Sequence, residues 1–270
     1  MRDRVVVKWG GGLITKKDEM KTVRTKVLDQ LTQQLVACLD HGVDVILVHG
    51  AGSFGHLKAK QYRLADGKVN NADVPEDMTQ EEAVMEVRSD MLELNQHVMD
   101  ALTKHDVSAV SLPPHQWATG TGKEFEGDLA LFQSAPGGIV VVTHGDVVDC
   151  DPPRNFGILS GDDLVYRLAT EVSGVKRLVF AMGGVEGVLS EPPSGKNDAS
   201  NLIEVLTSED VFEGEHMADL DVTGGIGLKV SRGFQTAKHG IAVHLVSGEH
   251  DQRVRDACLG RTVRGTVLRP

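Results

Sequence analysis

Short runs of β-branched residues alternate with amphipathic stripes along most of the chain. A short apolar run indicates a buried strand, whereas apolar residues that recur every three or four positions indicate one face of a helix. The pattern predicts strands over residues 5–8, 43–48, 107–112, 139–142, 178–182 and 242–246, with an edge strand over 266–269. It predicts helices over residues 22–40, 81–104, 162–172, 226–239 and 253–259.

Strands that alternate with helices are typical of a mainly parallel sheet covered by helices on both faces. We therefore expect an α/β fold. The chain has no internal repeat, no low-complexity tract and no convincing linker, so we expect residues 1–270 to form a single domain. Residues 191–201 and 70–76 carry the composition of loops.

Glycines follow four of the predicted strands. Ligands of parallel α/β sheets bind beyond the carboxyl ends of the strands, so these four turns are expected to converge on one cleft that can hold anions. They comprise Gly10, Gly11 and Gly12 after the first strand, Gly50, Ala51, Gly52 and Gly55 after the second, then Gly145, and finally Gly183 with Gly184.

Lysines flank the first of these glycine turns. Lys8 closes the first strand, and Lys16 and Lys17 follow the glycines. Glycine lets backbone N–H groups approach phosphate oxygens closely, and lysine adds a point charge. A turn with solvated lysines is the alternative, but the position of Lys8 at the strand end favours phosphate binding.

The second turn contains G-x-G-x-x-G at residues 50–55, which is also the dinucleotide-binding fingerprint. A Rossmann domain requires a strand that ends in an acidic residue about 20 positions later. Asp73 and Glu76 lie there, but no apolar strand precedes them, which disfavours an oxidoreductase. His56 follows the last glycine, where a helix could begin, and is a candidate ligand contact.

Two further segments place charged residues beside turns. In Ser160–Asp163 we expect one of the two aspartates to cap the following helix and the other to orient Lys8 or Lys17. Gly224 and Gly225 precede the last long helix, whose first turn carries Lys229. A lysine is unfavourable at a helix N-terminus unless an anion lies between them, so a phosphate is expected there.

The composition narrows the range of functions. The chain carries a formal net charge of −11, so it lacks the basic surplus of a nucleic-acid binder, and cations for an anionic substrate must be concentrated locally. It has no apolar run of the roughly 18 residues that a membrane helix needs. Its three widely spaced cysteines fit buried thiols, and we expect a cytoplasmic location. Walker A and protein-kinase signatures are absent from the sequence.

Together these motifs resemble the amino acid kinase superfamily and, within it, the isopentenyl phosphate kinases. The segment from Lys8 to Lys17 is similar to the family's K-x-G-G…I-T-x-K opening, and residues 49–56 match its H-G-[AG]-G-S-F-G-H signature at every position. The segments His144–Asp146, Ser160–Asp162 and Asp221–Lys229 follow in the family's order.

The resemblance implies a three-layer αβα sandwich, a homodimer, and transfer of a phosphoryl group from Mg-ATP to isopentenyl phosphate. It implies that His56 binds the acceptor phosphate, that Lys8 and Lys17 bridge the transferred group, that Lys229 holds the ATP phosphates and that Asp162 orients the lysines. The acceptor would be lined by Gly50, Ala51, Gly52, Gly55 and Gly145. The nucleotide would contact Lys8, Gly10, Gly11, Gly12, Gly183, Gly224, Gly225 and Lys229. No protein-bound metal is expected beyond the Mg²⁺ that ATP carries.

One segment departs from the family pattern. Residues 182–188 read M-G-G-V-E-G-V, where the family reads close to T-D-V-x-G-V near the nucleotide. The nucleoside preference is therefore open. A related kinase that acts on a phosphonate such as fosfomycin, and a non-catalytic nucleotide-binding protein, are the alternatives. The stripe Val84, Val87, Met91 and Leu94 is a candidate wall for the acceptor's apolar tail, although such a stripe also fits ordinary core packing.

Overall fold

The computed structural model describes residues 2–16, 18–191, 201–209 and 226–270. The helices in this part of the chain are α1 (Gly11–Ile14), α2 (Thr25–Asp40), α3 (Gly52–Gln61), α4 (Gln80–Lys104), α5 (Ala130–Gln133), α6 (Gly161–Glu171), α7 (Ile226–Ala237) and α8 (Arg253–Cys258). The strands are β1 (Arg4–Trp9), β2 (Asp44–His49), β3 (Ala109–Ser111), β4 (Ala118–Thr119), β5 (Glu126–Gly127), β6 (Val140–His144), β7 (Asp146–Asp149), β8 (Phe156–Leu159), β9 (Val175–Met182), β10 (Val205–Thr207), β11 (Ala242–Ser247) and β12 (Thr266–Arg269).

The larger sheet has eight strands within these described ranges, in the order β10-β12-β11-β9-β1-β2-β6-β3. Its neighbouring strands are parallel except for the antiparallel pair β11–β12. The expectation of a mainly parallel sheet is therefore confirmed. A smaller sheet in the order β5-β4-β7-β8 was not predicted, because its strands have only two to four residues and leave little periodicity to detect.

Helices cover both faces of the larger sheet. Alternate residues of β1 point to opposite faces, so Val5 and Val7 belong to one apolar cluster and Val6 to the other. Apolar side chains of α2, α4 and α8 complete the first cluster, whereas α6 and α7 contribute to the second. Both faces of the central strands are buried, which explains their continuous apolar sequences. The architecture is the expected three-layer αβα sandwich.

The predicted helices and strands are present, with ends that shift by a few residues. The predicted strand over 107–112 is shorter, since β3 covers only Ala109–Ser111. Helix α3 begins at Gly52 instead of at His56, so the last glycines of the second turn already form its first turn. Residues 70–76 contain a short 3-10 helix at Asn71–Asp73, and residues 192–200 of the other predicted loop lie outside the described ranges. In the part of the chain that the structure describes, no helix is long and apolar enough to cross a membrane.

A capping box starts the long helix α4. The Thr79 hydroxyl accepts a hydrogen bond from the Glu82 backbone N–H at 3.2 Å, and the Glu82 carboxylate accepts one from the Thr79 N–H at 2.8 Å. These bonds satisfy two N–H groups that have no partner inside the helix. They therefore fix the start of α4 at Gln80, directly after Thr79.

We expect Thr79→Ala to lower the free energy of unfolding by about 1 kcal/mol, because the N-cap acceptor is lost. Urea unfolding followed by circular dichroism measures the change. Thr103→Ala, in the last turn of the same helix, is the control and is expected to change stability by less than about 0.5 kcal/mol. Equal losses in the two variants would show that the cap does not matter.

Candidate active site

The carboxyl ends of β9, β1, β2 and β6 lie side by side at one edge of the larger sheet. The glycine turns that follow these strands therefore meet at this edge, as the sequence predicts. Backbone hydrogen bonds extend the parallel ladder into the turns: Gly10 N–H to Ala181 O at 2.9 Å, Gly50 N–H to Trp9 O at 3.0 Å, and Gly145 N–H to His49 O at 3.1 Å.

The first two turns pack backbone against backbone. A Cβ atom on Gly11 would lie 2.2 Å from the Gly52 nitrogen, and one on Gly50 would lie 2.6 Å from the Gly11 nitrogen. The Thr15 hydroxyl donates to Gly11 O at 2.8 Å and accepts from the Ser53 N–H at 3.0 Å, which ties the two turns together. These glycines are thus required by close packing as well as by any contact with a phosphate.

The remaining turns also lie close to their neighbours, at somewhat longer distances. A Cβ atom on Gly183 would lie 2.9 Å from the Leu13 Cα atom, so the turn after β9 packs directly on α1, which includes Gly12. A Cβ atom on Gly145 would lie 3.3 Å from the Gly161 nitrogen at the start of α6. We call this edge of the sheet, with the glycine turns that follow its strands, the glycine edge. Its turns pack so closely that most of these glycines could not be replaced by residues with side chains.

Two lysines meet at one carboxylate beside this edge. Lys8, at the end of β1, is only 5% exposed, and its Nζ donates to Asp162 Oδ1 at 2.5 Å. Lys229, in the first turn of α7, places its Nζ 3.6 Å from Asp162 Oδ2. The structure thus brings together Lys8, Asp162 and Lys229, which lie far apart along the chain.

The surroundings of Lys8 affect its proton. Burial lowers its pKa to about 8, against the opposing effect of Asp162, and the positive charge of Lys229 lowers it further. Lys8 therefore remains mainly protonated at neutral pH but is close to titrating. A bound phosphate would favour the protonated form, since its negative charge stabilises the lysine cation.

The two adjacent aspartates in the first turn of α6 have different partners. The Ser160 hydroxyl accepts from the Asp162 N–H at 3.2 Å and so caps the helix, whereas Asp163 Oδ1 accepts from Arg232 Nε at 2.6 Å. The expectation that one of the two aspartates is the cap was wrong, because Ser160 fills that position. Arg232 was missed, although it follows Lys229 by three residues and so lies on the same face of α7.

His56 is the fifth residue of α3, and its side chain is accessible to solvent. Desolvation by the surrounding protein, followed by the positive charges of Lys229 and Lys8, lowers its pKa. The ring is therefore neutral at neutral pH, and the positive charges of both lysines favour this neutral form. Ala51 precedes α3, and Gly55 is buried within it, where a Cβ atom would lie 3.3 Å from Met91 Sδ of α4.

A buried histidine pair lies behind the glycine edge. His49 and His144 end β2 and β6 in register, with ring centroids 5.0 Å apart. His49 Nε2 lies 3.2 Å from Asn95 Oδ1, and burial lowers the His49 pKa to about 3. Burial also lowers the pKa of His144. Both rings are therefore neutral. Both histidines belong to motifs that are evident in the sequence, but the sequence did not predict that their rings pair.

Three predicted site residues, Lys17, Gly224 and Gly225, lie outside the described residues. Within the described ranges, no group of three or more His, Cys, Asp or Glu residues is arranged to hold a metal ion. The candidate tail wall is part of the core, since Val84, Val87, Met91 and Leu94 are at most 6% exposed.

This arrangement is suited to binding phosphate groups. Two lysines, a histidine and backbone N–H groups at strand ends supply hydrogen-bond donors and positive charge in a partly desolvated space. The Asp162 carboxylate holds the two lysines in place. Such a site can neutralise and position phosphate groups without a covalent role for the protein, which is the main requirement of phosphoryl transfer.

Comparison with known proteins gives a consistent result. Residues 3–247 match the amino acid kinase family. The isopentenyl phosphate kinase of Methanothermobacter thermautotrophicus is 30% identical over 270 residues, with 98% of each chain covered. That of Thermoplasma acidophilum is 30% identical over 272 residues, with 98% of this chain and 100% of the relative covered.

A solved structure of an isopentenyl phosphate kinase superposes with a TM-score of 0.79 at 25% identity, covering 98% of this chain and 99% of the other. The match therefore extends over the sheet, both helical layers and the glycine edge. The chain belongs to the amino acid kinase family, in the group of the isopentenyl phosphate kinases.

Proposed function

We propose that this protein is a phosphotransferase of isoprenoid biosynthesis that transfers the γ-phosphoryl group of ATP to isopentenyl phosphate. The products are isopentenyl diphosphate and ADP. The observation that carries the proposal is the Lys8–Asp162–Lys229 cluster at the glycine edge of a chain that matches isopentenyl phosphate kinases over nearly its full length. Because the chain belongs to the amino acid kinase family, the alternative that it is a Rossmann-type oxidoreductase is no longer supported.

In this reaction an oxygen of the acceptor phosphate forms a bond to the γ-phosphorus, and the bond from that phosphorus to the oxygen bridging it to the β-phosphate breaks. The acceptor oxygen is already anionic near neutral pH, so the reaction needs no strong general base. The obstacle is repulsion between donor and acceptor, which amounts to roughly 4 kcal/mol for unit charges about 4 Å apart at an effective dielectric near 20. Positive charge and N–H donors must therefore bring the two anions together.

We assign the following roles to the site residues. His56 donates a hydrogen bond to the acceptor phosphate, since its neutral ring retains one N–H group. Lys8 and Lys17 bridge the transferred phosphoryl group, and Lys229 binds the ATP phosphates. Asp162 orients Lys8 and Lys229 through its two oxygens.

The backbone completes both halves of the site. We propose that the acceptor contacts Gly50, Ala51, Gly52, Gly55 and Gly145, and that the nucleotide contacts Gly10, Gly11, Gly12, Gly183, Gly224 and Gly225. The N-terminal part of the single domain, residues 1–270, would then bind mainly the acceptor, and the part from about residue 160 would bind mainly the nucleotide. Mg²⁺ enters as part of the substrate Mg-ATP. The resemblance adds two further proposals, a homodimer and a cytoplasmic location.

A panel of acceptors tests the reaction. With Mg-ATP and purified protein, we expect ADP release with isopentenyl phosphate to exceed release with fosfomycin, UMP, acetylglutamate or carbamate by at least about a hundredfold in kcat/KM, because only the first combines a phosphate with a short apolar tail. A preference for fosfomycin would instead support the phosphonate kinase. Nucleotide binding without turnover of any acceptor would support a non-catalytic protein.

His56→Ala is expected to lower kcat/KM for isopentenyl phosphate by about 10- to 100-fold, the effect of losing one hydrogen bond to a charged group. Steady-state kinetics at saturating Mg-ATP measure the change. His56→Gln keeps an N–H donor and should recover part of the loss. His41→Ala, on the exposed C-cap of α2, is the control and should behave as wild type. Unchanged kinetics in folded His56→Ala would remove this residue from the site.

The pKa of Lys8 predicts a limit on activity at alkaline pH. Because the free protein loses the Lys8 proton as pH rises through about 8, kcat/KM for Mg-ATP should fall above that pH. The corresponding fall in kcat should occur at higher pH than the fall in kcat/KM, since bound phosphates favour the lysine cation. Lys8→Arg stays charged, so both falls should disappear in this variant even if activity is lower. A flat wild-type profile between about pH 7 and 10 would contradict the assignment.

A further inference from the structure

The carboxylate of Asp90 joins helix α4 to helix α3 and to the loop between α1 and α2, close in sequence to the proposed acceptor residues Gly55 and His56. Asp90 of α4 is buried, and its Oδ1 pairs with Lys21 Nζ while its Oδ2 lies 3.3 Å from Lys58 Nζ. Lys58 belongs to α3, two residues after His56. Lys21 belongs to the loop between α1 and α2. Each oxygen of Asp90 therefore holds a lysine from a different part of the chain.

Neighbouring acids surround this junction. Glu86 lies one turn before Asp90 and pairs with Lys58, and Glu93 lies one turn after it and accepts from Lys21 at 3.1 Å. Hydrogen bonds to Asp90 raise the pKa of Lys21. Burial acts to lower the pKa of Lys58, but its bonds to Glu86 and Asp90 raise it above its usual value. Both lysines therefore remain charged across the physiological pH range.

The junction lies beside the candidate tail wall, whose residues all belong to α4. Gly55 of α3 is so close to α4 that an added Cβ would lie 3.3 Å from Met91 Sδ and 3.7 Å from Val87 Cγ1. Met91 follows Asp90 directly, and Val87 precedes it by three residues, so the ion pairs flank this apolar contact. A protein interior is close-packed, so an apolar tail placed against Val87 and Met91 requires α3 and α4 to move apart or these side chains to shift.

We propose that Asp90 is a positioning residue that limits the length of the acceptor's apolar tail, by holding α3 and the Lys21 loop against α4. This inference rests on the proposed function. Short tails fit the limited separation that the ion pairs permit, whereas longer tails require a wider one. Asp90 does not touch the reacting atoms, and its influence is exerted through the distance between the two helices.

The test compares isopentenyl phosphate with geranyl phosphate, whose tail is twice as long, in wild type and in Asp90→Asn. Asparagine keeps the shape but has one acceptor oxygen, and its NH₂ group turns toward one of the lysines. We expect the ratio of kcat/KM for geranyl phosphate to that for isopentenyl phosphate to rise by roughly tenfold, within the range of hydrophobic-pocket discrimination. The KM for Mg-ATP should not change, whereas general damage to the fold would affect both substrates.

Asp100→Asn is the matched control, because it makes the same substitution on the same helix at an exposed position whose recorded partner is Gln96. Its selectivity should equal that of wild type. If Asp90→Asn does not fold, Lys58→Met removes the α3 arm alone and should shift the ratio in the same direction. An unchanged ratio in the folded variants, with wild type active on isopentenyl phosphate, would overturn this inference alone. Inactive wild type would instead overturn the proposed function.

Discussion

The site depends on the buried contact between Lys8 and Asp162. Moving a lysine out of water at the end of a central strand is costly unless a carboxylate accompanies it, and Asp162 supplies that charge at 2.5 Å. Because Lys229 approaches the other carboxylate oxygen, two cations share one anion. The cluster therefore carries a local positive excess within a chain of net charge −11. An anion at the glycine edge would neutralise that excess, so the cluster favours the binding of a phosphate group.

Close packing imposes the second constraint on the same edge. Gly11, Gly50 and Gly52 bring two turns into backbone contact, and Gly161 faces Lys8, where a Cβ would lie 3.1 Å from Cε. The glycines therefore determine how near the lysine can approach the neighbouring turns. A side chain at position 161 would displace Lys8 and so weaken its contact with Asp162, whereas side chains at positions 11, 50 and 52 would force the two turns apart.

Local pattern was sufficient to predict the central strands, the long helices and the edge at which the glycines meet, because each depends on periodicity and on the geometry of parallel sheets. It indicated that one of Asp162 and Asp163 orients a lysine, and the family resemblance implied that this residue is Asp162. It could not predict that Asp163 pairs with Arg232, or that Asp90 joins Lys21 and Lys58, because these contacts depend on how helices pack. The cap was misassigned since serine and aspartate satisfy a helix N-terminus equally well.

Residues 182–188, whose sequence differs from the family pattern, form a turn with well-defined contacts. Gly183 packs on Leu13 of α1, and Gly184 has a positive φ of 77°, so both glycines serve the turn after β9. Glu186 is buried and binds Arg253, His250 and Arg264. Burial acts to raise the pKa of Glu186, but bonds from Arg253 and His250 lower it below its usual value. The turn is thereby tied to α8 by charge, so the altered motif retains a defined backbone. A changed nucleoside preference would consequently arise from the missing Thr and Asp side chains of the family pattern, and not from a disordered turn.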